Sequence, residues 1–369
     1  MSAPQELFAS CAPGLEPLLA AELRGLGALT PEETPGGVIF RGHRRAMYRA
    51  NLESGLATHV LLRVASFVAR RFEVLERELY AIHWEELLTP GTGRVFRVSS
   101  KKSRLLHTGA IEERAQVAIA KRLGDADDDD EAPIPIHIRL VKDRVQVSID
   151  TSGAALHRRG YRIHGGAAPL REDLARALVI ASGWDRASPL LDPLCGTGTI
   201  PIEAAMLAAR MPPGGRRSFA FQRTKLLHEP TWASVRANAE EARQTVDDLL
   251  IVGRDRDPTA VEASRQNAAR AGVKVSVSQA NLSAPFETDA RVGAVVTHPP
   301  FGRRMSASRD LGPLYRALGA VVPEGWRLAL MAADRKLGLR ANPRLRTAFL
   351  TDAGGIKVRA LCTPEDEGP

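Results

Sequence analysis

Three short stretches carry residue types that could do chemistry together. The first is Leu190-Leu191-Asp192-Pro193-Leu194-Cys195-Gly196-Thr197-Gly198-Thr199-Ile200-Pro201, an apolar run that ends in an acid, passes through a Gly-rich turn and enters a helix pattern. Gly196 and Gly198 let the backbone turn tightly and approach a ligand, and the helix that follows offers its first N–H groups. A phosphate loop needs Gly-Lys-Ser/Thr, which is absent, and a dinucleotide fingerprint needs a third Gly where Pro201 stands. An acid at the strand end suits a ligand with a cationic amino-acid part and a ribose. S-adenosylmethionine is such a ligand; the bland alternative is an ordinary strand-to-helix turn that uses glycine for geometry alone.

The second stretch places Asp255 after the strand-like run Leu249 to Gly253. There an acid could bind ribose hydroxyls bidentately, or be purely structural. Asp257, two residues on, is expected to cap a helix that starts at Pro258. The third stretch is Thr297-His298-Pro299-Pro300-Phe301-Gly302. Consecutive prolines cannot continue a central strand, so the chain is held extended with its carbonyls outward. The Pro299 carbonyl and the residue 298 side chain could accept the two hydrogens of an exocyclic amine while Phe301 stacks on the base. As a bare turn, the same tetrapeptide would be unremarkable.

The elements that must position these residues read as two halves. The N-terminal half mixes a helix over 14–27, a strand in GGVIFRG, a helix in RRAMYRANLESG, strands in THVLLRVASFVAR and RVFRVS, a helix from Thr108 to Leu123 ending at Gly124, and a hairpin turning at Lys142 and Asp143. Residues 153–168, rich in Gly and Arg, read as a linker. From Pro169 onward, helices and strands alternate, which predicts a doubly wound parallel sheet with its ligand crevice at the carboxyl ends of the strands. The helix containing Trp232 is counted with this half.

DPLCGTGTIPIEAA and THPPFG resemble the cofactor and catalytic motifs of class I S-adenosylmethionine-dependent methyltransferases that act on exocyclic amines of nucleobases. TSGAALHRRGYRIHGGAAPLRE, the spacing of GRDRDPTA and the N-terminal half are similar to THUMP-containing RNA methyltransferases, most closely the short bacterial form resembling the large-subunit rRNA guanine-N2 enzyme. The resemblance covers essentially the whole chain. It implies an α/β fold: a Rossmann-like methyltransferase domain with a seven-stranded doubly wound sheet over 169–369, preceded by an α+β module with a ferredoxin-like part over 1–60 and a THUMP RNA-binding domain over 61–152. S-adenosylmethionine is the implied cofactor, held by Pro169, Asp192, Pro193, Cys195, Gly196, Thr197, Gly198, Thr199, Asp255, Asn281 and Thr297. His298, Pro299, Pro300 and Phe301 form the implied catalytic tetrapeptide. Its first position is usually Asn or Asp; here it is His298, whose neutral ring has one acceptor nitrogen and whose protonated ring would repel the amine.

The balance of 51 Lys+Arg against 43 Asp+Glu, a net +8, suits a polyanionic partner. Residues 1–165 hold 23 basic and 21 acidic residues, but six of the acids sit in one run, 125–131. Lys101, Lys102, Arg104, Arg158, Arg159, Arg162, Arg303 and Arg304 are the candidate phosphate contacts. The expected partner is RNA, 23S rRNA first and tRNA second. The expected reaction is methyl transfer to the N2 amine of a guanine; a noncatalytic RNA-binding assembly factor is the reading from another class. Three isolated cysteines, Cys11, Cys195 and Cys362, speak against a disulfide framework or a metal site and fit a reducing cytoplasm. The chain is expected to be monomeric and neither secreted nor membrane-spanning. His43, His59, His83, His107 and His137 lack metal spacing, and Trp184, Trp232 and Trp326 read as packing residues.

Overall fold

A computed structural model of the chain describes residues 3–126, 131–163, 170–300 and 310–364. They divide into two compact units: Met1–Ser10, Ala20–Leu156 and Arg217–Asn238 form one, and Cys11–Leu19, His157–Arg216 and Ala239–Pro369 the other. The elements begin with β1 (Gln5–Ser10), α1 (Glu16–Gly25), β2 (Leu29–Thr34), β3 (Gly37–Gly42), α2 (Arg44–Glu53) and β4 (His59–Val68). They continue with α3 (Phe72–Ala81), β5 (Arg94–Lys101), α4 (Thr108–Leu123), β6 (Ile134–Val141) and β7 (Arg144–Asp150).

These strands form one seven-stranded sheet in the order β2-β3-β1-β4-β7-β6-β5. The first six elements run βαββαβ, the ferredoxin-like pattern. The expected border at residue 60 falls inside a strand. β4 pairs with β1 along one edge, Leu61 opposite Phe8, and with β7 along the other, from Leu61 opposite Asp150 to Val68 opposite Arg144. This ten-residue strand is paired along both edges, and a cut there would expose two unpaired ladders. The hairpin expected at Lys142 and Asp143 is present, both residues with positive φ, and α4 ends at Gly124 with φ 88°. β1, β2 and α3 went unread in the sequence.

The segment Arg217–Asn238 is a correction to the linear division. It lies in the N-terminal unit, where Phe219, Phe221 and Trp232 pack with Tyr48; the Tyr48 and Phe221 rings stack at 4.6 Å. The Tyr48 hydroxyl donates to the Leu226 carbonyl at 2.7 Å and accepts from the His228 amide at 2.8 Å. Trp232 is a packing residue, as expected, but of the other unit.

The second unit contains α5 (Glu172–Ala181), β8 (Leu190–Asp192), α6 (Thr199–Ala208), the end of α7 (Glu229–Glu241), β9 (Ile251–Asp255), α8 (Pro258–Ala271), β10 (Ser276–Gln279), β11 (Ala294–Thr297), α9 (Gly312–Ala320), β12 (Arg327–Ala332), α10 (Arg335–Ala341), β13 (Arg346–Ala353) and β14 (Ile356–Cys362). Its sheet runs β10-β9-β8-β11-β12-β14-β13, parallel through β12 and closed by an antiparallel hairpin. β8 and β11 are buried at every residue, as central parallel strands require. The chain leaves β8 toward β9 and β10, then returns to β11 on the other flank of β8. That reversal opens a crevice beyond their carboxyl ends.

Behind α6 lies a buried ionic cluster. Glu203 is fully buried and takes Arg159 Nε at 3.4 Å, Arg176 Nη1 at 3.5 Å and the Tyr161 hydroxyl at 3.4 Å. Removing the acid from two buried guanidiniums leaves uncompensated charge. Glu203→Ala is expected to cost about 3–5 kcal/mol of stability in this unit, whereas truncating exposed Arg158 changes it by less than about 0.5 kcal/mol; chemical unfolding followed by tryptophan fluorescence measures both.

Candidate functional site

The Gly-rich turn joins β8 to α6 at the mouth of that crevice. Asp192 is almost fully buried at the end of β8. Its Oδ1 accepts from Thr297 Oγ1 at 2.7 Å, at the end of neighbouring β11, and from the Leu194 amide at 3.1 Å. Burial pushes its carboxyl up to about 7, against the lowering effect of those two bonds and with Asp255 adding repulsion. A cationic group placed beside it would restore the ionised form.

The turn itself is held by Asp255. Its Oδ2 accepts from the Gly196 amide at 2.9 Å and its Oδ1 from the Asp257 amide at 3.0 Å. Asp255 thus staples the loop to the end of β9, a positioning role beyond the ribose contact the sequence suggested; each oxygen keeps a second lone pair. Asp257 caps α8 through the Thr259 amide at 2.9 Å, with Pro258 at the first position, as expected.

The two loop glycines do different jobs. Gly198 has φ 84°, and a Cβ there would collide with the Ser264 hydroxyl, so only glycine lets the turn sit down on α8. Gly196 has φ 53° with nothing within 4 Å of a Cβ position, so the loop crest faces open space. This is a cradle that a side chain would fill. Pro193, Cys195, Thr197 and Thr199 are buried beneath it. Burial, with Asp192 and Asp255 nearby, raises the Cys195 thiol far above its usual range, so it packs and does not react.

Two residues the sequence reading missed complete the support. Asn267 donates to the Thr197 carbonyl at 3.0 Å and accepts from the Ile163 amide at 2.9 Å. With Ser264 it is a polar residue on the buried face of α8, at i,i+3 spacing; that break in an apolar stripe was the available signal. Asn281 is exposed just beyond β10, next to Ala280, whose amide donates to the Asp255 carbonyl at 2.9 Å. It therefore shares the carboxyl-end rim with Asp255.

Beyond Thr297, His298 is partly buried, Pro299 buried and Pro300 exposed. Burial lowers the His298 ring to about 4, so it is neutral at pH 7. Pro169, Phe301, Arg303 and Arg304 lie outside the described residues.

The expected phosphate contacts need two corrections. Arg159 is buried on Glu203, a counter-ion 44 residues away that the run HRRGYR does not disclose. Arg162 is turned inward: its Nη2 donates to the Leu170 carbonyl at 2.8 Å and Thr199 Oγ1 at 3.1 Å, and its Nε lies 3.1 Å from Glu172. It braces the first turn of α6. Lys101, Lys102, Arg104 and Arg158 are exposed. Among the described residues no cluster of His, Cys, Asp and Glu could hold a metal, and no helix is long and apolar enough to cross a membrane.

Gly196→Ala is expected to cost about 1 kcal/mol of stability through its left-handed backbone yet to weaken S-adenosylhomocysteine binding more than about tenfold, or 1.4 kcal/mol; Gly198→Ala loses both, read by calorimetry and thermal unfolding. The raised Asp192 carboxyl gives a second expectation. The folded chain keeps a proton that the unfolded chain releases, so the stability tied to Asp192 is fully present below the ordinary Asp range and falls as pH rises to about 7. Asp192→Asn, which retains the acceptor oxygen, should flatten that decline in the pH dependence of unfolding.

Comparison with known proteins places this geometry. Residues 159–347 match the family model described as RMKL-like, methyltransferase domain, and residues 6–61 the RlmL ferredoxin-like domain. The large-subunit ribosomal RNA methyltransferase K/L of Syntrophotalea carbinolica is 33% identical over 98% of this chain and 54% of its own length. A Synechocystis sp. protein whose name proposes an RNA methyltransferase is 31% identical over 96% of this chain and 95% of that protein. The chain spans about half the length of the K/L relatives it matches. The crystal structure of a proposed methyltransferase complexed with SAH superposes with a TM-score of 0.88 at 31% identity, covering 100% of each chain. The chain is a member of the RMKL-like methyltransferase-domain family, with an RlmL-type ferredoxin-like domain ahead of the methyltransferase domain.

Proposed function

We propose that this chain binds S-adenosylmethionine at the β8–α6 turn and methylates the N2 amine of a guanine in structured RNA, with 23S rRNA as the substrate. The observation that carries the reading is the Thr297–Asp192 hydrogen bond, which locks the cofactor-type loop and the Pro-Pro segment side by side on adjacent strands. The relatives named for rRNA methylation and the neighbour crystallised with SAH support it.

When bound, S-adenosylmethionine supplies an electrophilic methyl group on sulfur, attacked by a neutral amine. Asp192 and Asp255 are the acids available to its cationic and hydroxyl groups, the open crest at Gly196 admits it, and Asn281 stands on the same rim. The chain's own contribution at the amine is to accept its hydrogens. The Pro299 carbonyl and the neutral His298 ring each offer one acceptor. With its ring held at about 4, His298 is a weak base; it orients the lone pair and receives a hydrogen bond rather than storing a proton through the cycle.

The test is transfer of a radiolabelled methyl group to total RNA from a strain lacking the gene, followed by nucleoside analysis. N2-methylguanosine in the large rRNA supports the reading. Label in tRNA redirects the substrate, and donor binding without label makes the chain an RNA-binding factor. His298→Ala should lower the transfer rate about 10- to 100-fold, the worth of one hydrogen bond to a polarised group, with cofactor affinity little changed. With cofactor saturating, so that Asp192 stays ionised beside it, the wild-type rate should stay flat down to about pH 5 and fall as the ring protonates near 4. Loss already at the ordinary histidine range near 6.5 would contradict this assignment.

A further inference from the structure

The chain leaves the first unit at Leu156 and continues into the second at His157. Shortly after, the residues from Arg159 to Ile163 are each bound to α6 or α8, the two helices on which the Gly-rich turn rests. Arg159 Nε and the Tyr161 hydroxyl both reach Glu203 of α6 at 3.4 Å, and Arg162 Nη2 donates to Thr199 Oγ1 at 3.1 Å. From α8, Arg270 Nε donates to the Gly160 carbonyl at 2.9 Å, and Asn267 Oδ1 accepts from the Ile163 amide at 2.9 Å. The Tyr161 ring is buried among Ile202 and Met206 of α6 and Ala268 and Ala271 of α8. A run with the composition of a linker is therefore a strap that ties two helices together.

Asn267 is where this strap meets the loop. It is 1% exposed, and besides accepting from Ile163 its Nδ2 donates to the Thr197 carbonyl at 3.0 Å. One partner only donates and the other only accepts, so together they fix which way the side-chain amide faces. On the other side of the same peptide plane, the Gly198 amide donates to the Cys195 carbonyl at 2.9 Å and closes the turn. Gly198 has φ 84°, and glycine adopts the opposite sign of φ about as readily. Its own backbone therefore does not bar the Thr197–Gly198 peptide from flipping. A flip would point the Thr197 carbonyl toward that of Cys195, open the turn and displace the crest at Gly196. Glycine permits the turn but leaves two orientations, and the bond from Asn267 favours one of them.

We infer that Asn267 is a positioning residue for methyl transfer: it fixes the Thr197–Gly198 peptide relative to the strap 159–163 and thereby sets how tightly the loop holds S-adenosylmethionine. This rests on the reading of the β8–α6 turn as the cofactor site. Both polar ends of the Asn267 side chain are taken by backbone partners, so it acts through the loop. An effect on a cradle that holds the cofactor equally before and during transfer changes KM and leaves kcat alone. Linkage makes the dependence reciprocal: a bound cofactor must in turn steady the strap.

The full-length chain is titrated with S-adenosylhomocysteine by calorimetry, and methyl transfer to total RNA is followed as a function of S-adenosylmethionine. Asn267→Asp keeps the shape and the acceptor for Ile163 but faces the Thr197 carbonyl with a second acceptor; Asn267→Ala removes both bonds. Leu318→Ala, a truncation in the core beneath α9, is the control for lost stability alone. Both Asn267 variants are expected to bind at least about tenfold more weakly at full stoichiometry, with KM raised by the same factor and kcat within about threefold of wild type. Leu318→Ala should lower the fraction that binds without changing the affinity of that fraction. On the wild type, S-adenosylhomocysteine should slow amide hydrogen exchange in peptides covering 159–163 as well as in those covering 195–199. Wild-type affinity in the Asn267 variants, at full or reduced stoichiometry, overturns the proposal by making the residue structural only. So does a loss of kcat at unchanged KM, an equal loss of affinity in Leu318→Ala, or protection confined to 195–199. If the wild type binds the cofactor product and the variants match it, the role of Asn267 alone fails; if the wild type binds none, the reading of the turn as the cofactor site fails with it.

Discussion

Asp192 ends a strand whose every residue is buried, so its carboxylate must find hydrogen bonds inside the protein or stay protonated. It takes them from Thr297 on the next strand and from the turn that follows it. Because β8 and β11 are adjacent only by the reversal of strand order, this bond exists only when the whole sheet is correctly threaded. Asp255 repeats the device on the other flank through the Gly196 amide. Two acids at the ends of the adjacent strands β8 and β9 fix a loop that would otherwise be free to open, Asp192 by a bond that crosses the switch point to β11.

The rigidity continues behind the loop. Gly198 caps α6 and rests on Ser264, Arg162 braces Thr199 in the first turn, and Glu203 anchors the next turn to Arg159 and Arg176. A buried ion cluster of this kind contributes little net stability, since its desolvation cost is large. What it supplies is register: the guanidiniums come from the segment before α5 and from α5 itself, so α6 cannot slide without stranding charge. The N–H groups at its start are held at a fixed height above the sheet.

Much of this was legible in the residues. Gly-x-Gly after an apolar run ending in Asp, Pro258 behind Asp257, and Gly124 after an amphipathic run are local signals, and each marks the turn or helix end it suggests. What stayed hidden depends on partners far along the chain. Arg159 and Arg162 look like solvated surface charges because their acids, Glu203 and Glu172, belong to helices not yet placed. Trp232 sits in a helix pattern that fits the alternation of the second unit, yet Tyr48, 184 residues earlier, draws it to the first. β4 reads as one module's strand because periodicity reports which face is buried but not which neighbours share its two edges.

His298 is the one site residue where family pattern and physical chemistry had to be weighed against each other. An asparagine or aspartate offers an oxygen to an amine at any neutral pH; an exposed histidine would offer it only above its own titration. The chain resolves this by burial. Next to buried Pro299 and one residue past a fully buried Thr297, the partly buried ring is desolvated, and the charged form is the one disfavoured. The same desolvation that makes the His298 ring a weak base keeps it neutral, with an acceptor nitrogen, at pH 7. In the proposed reaction, substitution at this position would change the atom that meets the amine while keeping an acceptor there.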